Sequence, residues 1–152
     1  MSTFEHIHYD TLNARQKELF NFAKIAATLA DYGFNCIKLS DDWQGADFLA
    51  YHANASSTLK VQLKARITIH KKYADKDIWM AFPHDGFWYL IEHEKLVAKV
   101  GQHTRWLQSP SWQNMGTFNS GSINQELLNS LLENRIGPVY GPVLETEEAG
   151  AK

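Results

Sequence analysis

Residues 58–66 read TLKVQLKAR, in which Leu59, Val61, Leu63 and Ala65 alternate with Lys60, Gln62, Lys64 and Arg66. Successive side chains of an extended strand leave opposite faces of the backbone, so a strict period of two marks a strand and excludes a helix. This segment therefore commits the chain to a β-sheet whose apolar face must be covered by another layer.

The covering layer is legible on either side. Residues 11–32 predict a helix, with Thr11 or Asp10 as its cap and Gly33 as its stop. On a helical wheel Leu12, Leu19, Phe22, Ala23, Ile25, Ala26, Leu29 and Ala30 share one broad arc, opposite Lys17, Asn21, Lys24, Thr28 and Asp31. Residues 34–39 and 47–52 predict strands, with a loop at 40–45 and turn chemistry at 53–57. Residues 78–82 and 87–92 predict a hairpin across Pro83-His84-Asp85-Gly86. Residues 93–100 read as a short helix and 101–122 as an ordered polar loop with Trp106, Trp112 and Phe118. Residues 123–135 read as an amphipathic helix, with Ser122 as its cap. Glycines and prolines from Gly137 onward read as a loose tail. The expected organisation is one domain over 1–136 and a flexible tail over 137–152. The expected class is α/β, with a central mixed sheet of about four or five strands flanked by helices.

Composition excludes several classes. Cys36 is the only cysteine, so one chain carries no disulfide or cysteine zinc site. The N-terminus lacks the basic and apolar regions of a secretory signal, and no apolar run approaches the ~20 residues of a membrane span. The expected location is cytoplasmic, with no membrane partner. The net charge of −2 argues against a protein that coats nucleic acid. Yet Lys60, Lys64, Arg66, Lys71 and Lys72 fall in a stretch without any acid, which leaves −7 on the remainder. A basic stripe on an acidic body suits a site that meets phosphate in one place.

An acid opens the second predicted strand at Asp47, and Gln62 and Lys64 leave one face of the third. If those strands form a hairpin, Asp47 meets the pair at one end of the sheet. An anionic ligand, a neutral oxygen and an ammonium would then surround one point, a set that suits metal-assisted phosphodiester hydrolysis. Glu18 falls inside the apolar arc of the first helix, where a carboxylate needs a partner. Two readings stand: it points over the sheet toward this site, or it pairs with Arg15. For residues 58–66 the plain alternative is the solvent face of an antiparallel strand. Asp41-Asp42 reads as turn chemistry, with Asp42 a substitute acid if Asp47 faces the core. His6 and His8 lack a third ligand. His70-Lys71-Lys72-Tyr73, with Arg66, are the candidate phosphate contacts or else a solvated charged loop, and Trp43 is the aromatic placed to meet a nucleotide.

Gly45-Ala46-Asp47-Phe48-Leu49-Ala50 followed by Leu59-Lys60-Val61-Gln62-Leu63-Lys64-Ala65 resembles the core of the PD-(D/E)xK nuclease superfamily. The preceding helix with Glu18 is similar to the first helix of Holliday-junction resolvases. Most members carry Asp or Glu where this chain has Gln62, and the Gln-x-Lys form resembles Mrr-type restriction nucleases. The resemblance covers about residues 11–92 and implies a restriction-endonuclease-like core in αβββαβ order. It implies a magnesium- or manganese-dependent endonuclease acting on branched or duplex DNA. Asp47, Gln62 and the Leu63 carbonyl would hold the metal, Lys64 would assist the water and Glu18 would be an auxiliary acid. A homodimer is implied by relatives that cut two strands. The alternative is a catalytically inactive nuclease-fold module that binds nucleic acid or protein, a reading favoured by the neutral Gln62.

Overall fold

The structure, a computed structural model, describes residues 2–54 and 56–139. The chain runs through β1 (Phe34–Trp43), β2 (Ala46–His52), β3 (Thr58–Leu63), β4 (Ile67–His70), β5 (Ile78–His84), β6 (Phe87–Glu92), β7 (Thr117–Ser120) and β8 (Arg135–Pro138). Its helices are α1 (Ala14–Ala30), α2 (His93–His103) and α3 (Gln125–Leu131). The period-two segment, β3, lies inside a six-stranded mixed sheet of order β1-β2-β3-β5-β6-β8. β2 pairs with it antiparallel, Phe48 opposite Val61, and β5 pairs with it parallel, Leu63 opposite Ala81. The α/β class expected from the sequence holds, with a larger sheet than the four or five strands expected. β8, with the sequence Arg-Ile-Gly-Pro, is the strand that the pattern hides, because Gly and Pro erase its β signature. It also carries the fold past residue 136, where the sequence reading ends the domain. The expected tail from 140 onward lies outside the described residues.

The αβββαβ order fails at its second helix. The connection from β3 back to β5 carries β4 and a 3₁₀ turn at Lys71–Tyr73. β4 pairs with β7 in a separate two-stranded sheet, Ile69 opposite Phe118. The expected loop at 101–122 is thus partly regular. It holds a 3₁₀ turn at Trp106–Gln108, a π-helical turn at Ser111–Met115 and β7.

Helices cover both faces of the sheet. On one face Ile25 and Leu29 of α1 pack on Phe48, Ala50, Val61, Ala81 and Trp88. On the other, Leu96 and Val100 of α2 and Leu127 and Leu131 of α3 close over Met80, Phe82, Tyr89 and Ile91. Trp88 and Tyr89 are buried in the core, and Trp79 packs against it partly buried. α1 begins later than expected. Asn13 is its cap, in a reciprocal pair with Gln16: each side chain accepts the other's backbone N–H at 2.9 Å. α3 is capped by Asn124, not Ser122. The buried stripe of α1 is also rotated from the wheel. Thr28 is buried and Leu19 is 44% exposed. β8 explains this: a Cβ on Gly137 would lie 3.0 Å from Thr28 Cγ2, so the strand hidden in the sequence covers the polar side of the helix. Among the described residues no helix is long and apolar enough to cross a membrane.

Two hairpins use the same turn. Asp85-Gly86 joins β5 to β6 with φ of 50° and 81°, and Gln44-Gly45 joins β1 to β2 with φ of 53° and 88°. Two successive left-handed residues are the turn whose twist matches that of the strands. The second turn corrects the expected loop at 40–45, since β1 runs through to Trp43. It also approaches the core, because a Cβ on Gly45 would meet Ile78 Cδ1 and Tyr73 Cδ1, each at 3.3 Å. Both Gly45→Ala and Gly86→Ala introduce left-handed strain, costing about 1–3 kcal/mol. Only Gly45→Ala adds crowding, so its thermal melt should show the larger loss. Equal losses would mean that the β1–β2 turn shifts away from Tyr73 and Ile78 without cost.

Candidate functional site

The end of β3 gathers the residues singled out in the sequence. Pairing of Phe48 with Val61 brings Asp47 beside the last residues of β3. The Asp47 carboxylate accepts the Leu63 backbone N–H at 2.8 Å through Oδ2. Lys64 follows at once. Its backbone N–H donates to Ala81 O at 2.9 Å, extending the parallel ladder one step past the strand. Gln62 lies within β3 opposite Met80 and is only 7% exposed. Its Oε1 is buried and has no hydrogen-bond partner. Asp47, Gln62, Leu63 and Lys64 are thus local neighbours, whereas the expected strand to residue 66 stops at Leu63.

Burial pushes the Asp47 carboxyl above its ordinary range, against the opposing pull of the Leu63 hydrogen bond and the charges of Lys64 and Lys38; the Glu18 charge adds a further upward push. The carboxylate borders a cleft of about 290 Å³ that Glu18, Lys38, Asp41 and Asp42 also line. Of the two expected roles of Glu18, the pairing with Arg15 does not occur. Glu18 is exposed and pairs instead with Lys38 at 3.0 Å. A pair this open contributes roughly 0–1 kcal/mol. It leaves Glu18 on the rim of the same cleft as Asp47. Lys38 escaped the sequence reading because its strand showed no acid partner. Only the fold brings α1 over β1.

The basic residues form a second group on the crossover. Lys71 Nζ lies 5.2 Å from the centre of the Trp112 ring, and its backbone N–H donates to Gly116 O. Lys72 Nζ lies 5.3 Å from the Tyr73 ring and Lys64 Nζ 6.0 Å from it. Tyr73, read in the sequence only as part of the charged stretch, is therefore the link between the triplet and the basic stretch. His70 does not serve as a cation here. Burial, then the charges of Lys72, Lys64 and His93, lower its pKa, and its Nδ1 accepts the Lys72 N–H at 3.0 Å. Arg66 is exposed in the turn between β3 and β4, with its guanidinium toward Gly121. Trp43 is 49% exposed at the end of β1, opposite Ala46. His6 and His8 lie outside any strand. Cys36 is half-buried against the α1 core, and burial pushes its thiol up to about 11.

Among the described residues no three or more His, Cys, Asp or Glu side chains cluster closely enough to hold a metal ion. The oxygens of the motif are one carboxylate, the unpartnered Gln62 Oε1 and the Leu63 carbonyl, of which Asp47 lines the cleft. By donor type they suit a hard cation that binds one or two carboxylates and keeps several waters. No protein-family model, curated protein or solved structure matches this chain.

The raised Asp47 pKa has a sign that can be checked. A carboxyl whose folded pKa exceeds its unfolded value favours folding when protonated and opposes it when ionised. That advantage is complete below the ordinary value of 3.8 and is lost as pH rises through the folded pKa. Asp47→Asn retains an oxygen for the Leu63 N–H and removes the charge. Without added metal it should raise the melting temperature at pH 7, and the gain should shrink on acidification and vanish below 3.8. A lower melting temperature for Asp47→Asn at pH 7 would show that the carboxylate is favourably paired.

Proposed function

We propose that the chain is a metal-dependent endonuclease of the PD-(D/E)xK type that hydrolyses phosphodiester bonds in DNA, with one copy acting on each strand of a duplex. The observation that carries this reading is Gln62 Oε1, buried and unpartnered one residue before the Leu63 N–H that Asp47 holds. An acceptor left in that state costs about 1–3 kcal/mol. A ligand shared with Asp47 would relieve it. The order of elements supports the same reading: a helix, an antiparallel β1-β2-β3 meander, then a strand parallel to β3.

In this proposal Asp47, Gln62 and the Leu63 carbonyl hold Mg²⁺ or Mn²⁺. When bound, the ion polarises the phosphate and lowers the pKa of a coordinated water. Lys64 keeps an ammonium next to the carboxylate, where it orients the attacking water or neutralises charge on the phosphate. Glu18 acts from the rim of the cleft as an auxiliary acid. Lys71 and Lys72 meet backbone phosphates, Arg66 extends that contact along the crossover, and Trp43 offers a face for a base. A second reading, a nuclease-fold binding module without catalysis, is favoured by a specific fact: the acids of the motif reduce to Asp47 once Gln62 is neutral and Glu18 is bound to Lys38.

Divalent titration separates the two. Asp47→Ala and Lys64→Ala should each abolish Mn²⁺-dependent nicking of plasmid DNA with far-ultraviolet circular dichroism unchanged. Gln62→Glu should tighten Mg²⁺ binding by calorimetry and lower the melting temperature of the metal-free protein, since two carboxylates then share one site. Full nicking in either alanine variant removes the assignment. A Gln62→Glu chain with neither effect leaves the binding module as the better account.

The basic stretch makes its own prediction. Changing Lys71 and Lys72 together to Ala should weaken DNA binding equally across sequences and reduce the slope of log affinity against log salt by roughly 2, about one per phosphate contact. An unaltered slope would mean that the two lysines are only solvated.

A further inference from the structure

Tyr73 closes the 3₁₀ turn Lys71–Tyr73 and is 1% exposed, so it cannot touch a substrate. Four groups surround its ring. His70 and His93 meet it edge-on, with centroids 5.7 and 5.6 Å away. The Lys64 and Lys72 ammonium groups lie over it at 6.0 and 5.3 Å. His93 is itself fixed. It is 1% exposed, its Nε2 accepts the His70 N–H at 3.1 Å, and its Nδ1 lies 3.1 Å from Glu94 Oε1. The ring is thus anchored by its burial and by the two histidines, and its π system lies within reach of two cations. Its phenol is pushed up to about 12 by burial and then by the charges of Asp47 and Asp42, so the ring stays neutral and keeps its attraction for cations.

We propose that Tyr73 is a positioning residue for Lys64, whose ammonium it holds beside Asp47 through the face of its ring. A lysine is a flexible stem that samples many rotamers unless its head group is held. Lys64 leaves the sheet just beyond its last paired residue, and its side chain has no carboxylate ion pair among the described residues. The Tyr73 ring supplies the missing restraint. Loss of the ring would free the ammonium without moving the backbone, which the Ala81 carbonyl holds. The proposal rests on Lys64 being the cation of the nuclease-type site described above.

The test reads Lys64 directly. In the metal-free full chain, the Tyr73→Leu variant should move the Lys64 Hε resonances downfield, away from the shielding of a ring face. It should also lower the order parameter of the Lys64 ammonium, whereas Tyr73→Phe should preserve both. With Mn²⁺ and plasmid DNA, Tyr73→Leu should lower kcat roughly tenfold with KM little changed, the scale of one lost cation–π contact, and Tyr73→Phe should recover most of it. Lys64 resonances and mobility that are unchanged in Tyr73→Leu would overturn the proposal. A loosened Lys64 in a protein that never nicks DNA would uphold the restraint and sink the nuclease reading instead. Should Tyr73→Leu fail to fold, nuclear Overhauser contacts between the Lys64 ε-methylene and the Tyr73 ring in the unmodified chain decide the matter: their presence supports the proposal and their absence ends it.

Discussion

The parallel pairing of β3 with β5 organises the molecule. Antiparallel neighbours can be joined by two residues, as β1–β2 and β5–β6 are. Parallel neighbours require the chain to leave one end of the sheet and return to the other. Residues 64–77 make that journey, and Lys64, Arg66, Lys71, Lys72 and Tyr73 all lie on it. The crossover is held at intervals. Lys64 N–H donates to Ala81 O, β4 pairs with β7, and Lys71 N–H donates to Gly116 O. A connection made without an α-helix is thereby made rigid by the two-stranded sheet. The residues of the candidate site sit together because topology forces this segment past the end of β3, where the Asp47 carboxylate already holds the Leu63 N–H.

The sequence revealed the parts whose signal is local. The alternation of β3, the Asp-Gly hairpin and the main helices follow from periods and turn residues that act over a few positions. The Asp47–Gln62–Lys64 neighbourhood also followed, because two consecutive strands in a hairpin set their own register. What the sequence concealed depends on distant chain. β8 lacks any strand signature and exists because β6 offers it an edge, with Trp88 opposite Gly137. Thr28 sits on the polar side of the helical wheel, yet β8 covers it. Its hydroxyl donates to Lys24 O at 3.4 Å, which satisfies the buried group within its own helix. Glu18 looked misplaced on an apolar arc only because the wheel carried no information about Lys38. Tyr73 looked like one aromatic in a charged stretch, and its burial between two histidines depends on α2.

The electrostatics at the end of β3 work against the fold. Asp47 is partly buried with a raised pKa, although a backbone donor and two lysines act to lower it. Desolvation outweighs those partners, so the ionised group is held in place by its surroundings at some cost to stability. Glu18 makes the balance worse by adding negative charge nearby, and Lys38 offsets that charge across the same cleft. A purely structural solution would place a neutral residue at position 47, since the Leu63 N–H needs only an oxygen. In the proposed reading a bound cation would offset that cost.

Gln62 belongs to the same balance. Its position opposite Met80, under 10% exposed on a central strand, disfavours any charge. A glutamate there would face desolvation and also the Asp47 carboxylate, and the two acids would raise each other's pKa in the absence of a cation. Glutamine supplies the same oxygen at nearly the same shape and avoids the repulsion. It contributes no attraction for a cation beyond a neutral carbonyl. In the reading proposed above, a site with this composition would be tolerable when empty and would bind a divalent ion weakly, through one carboxylate and neutral oxygens. Occupancy would then depend on whatever brings further negative charge to the cleft. A phosphate backbone laid along Lys64, Lys71 and Lys72 would bring it. In the proposed nuclease, the neutral residue that weakens the site in isolation would thus couple metal binding to nucleic-acid binding, because each would supply the charge that the other lacks.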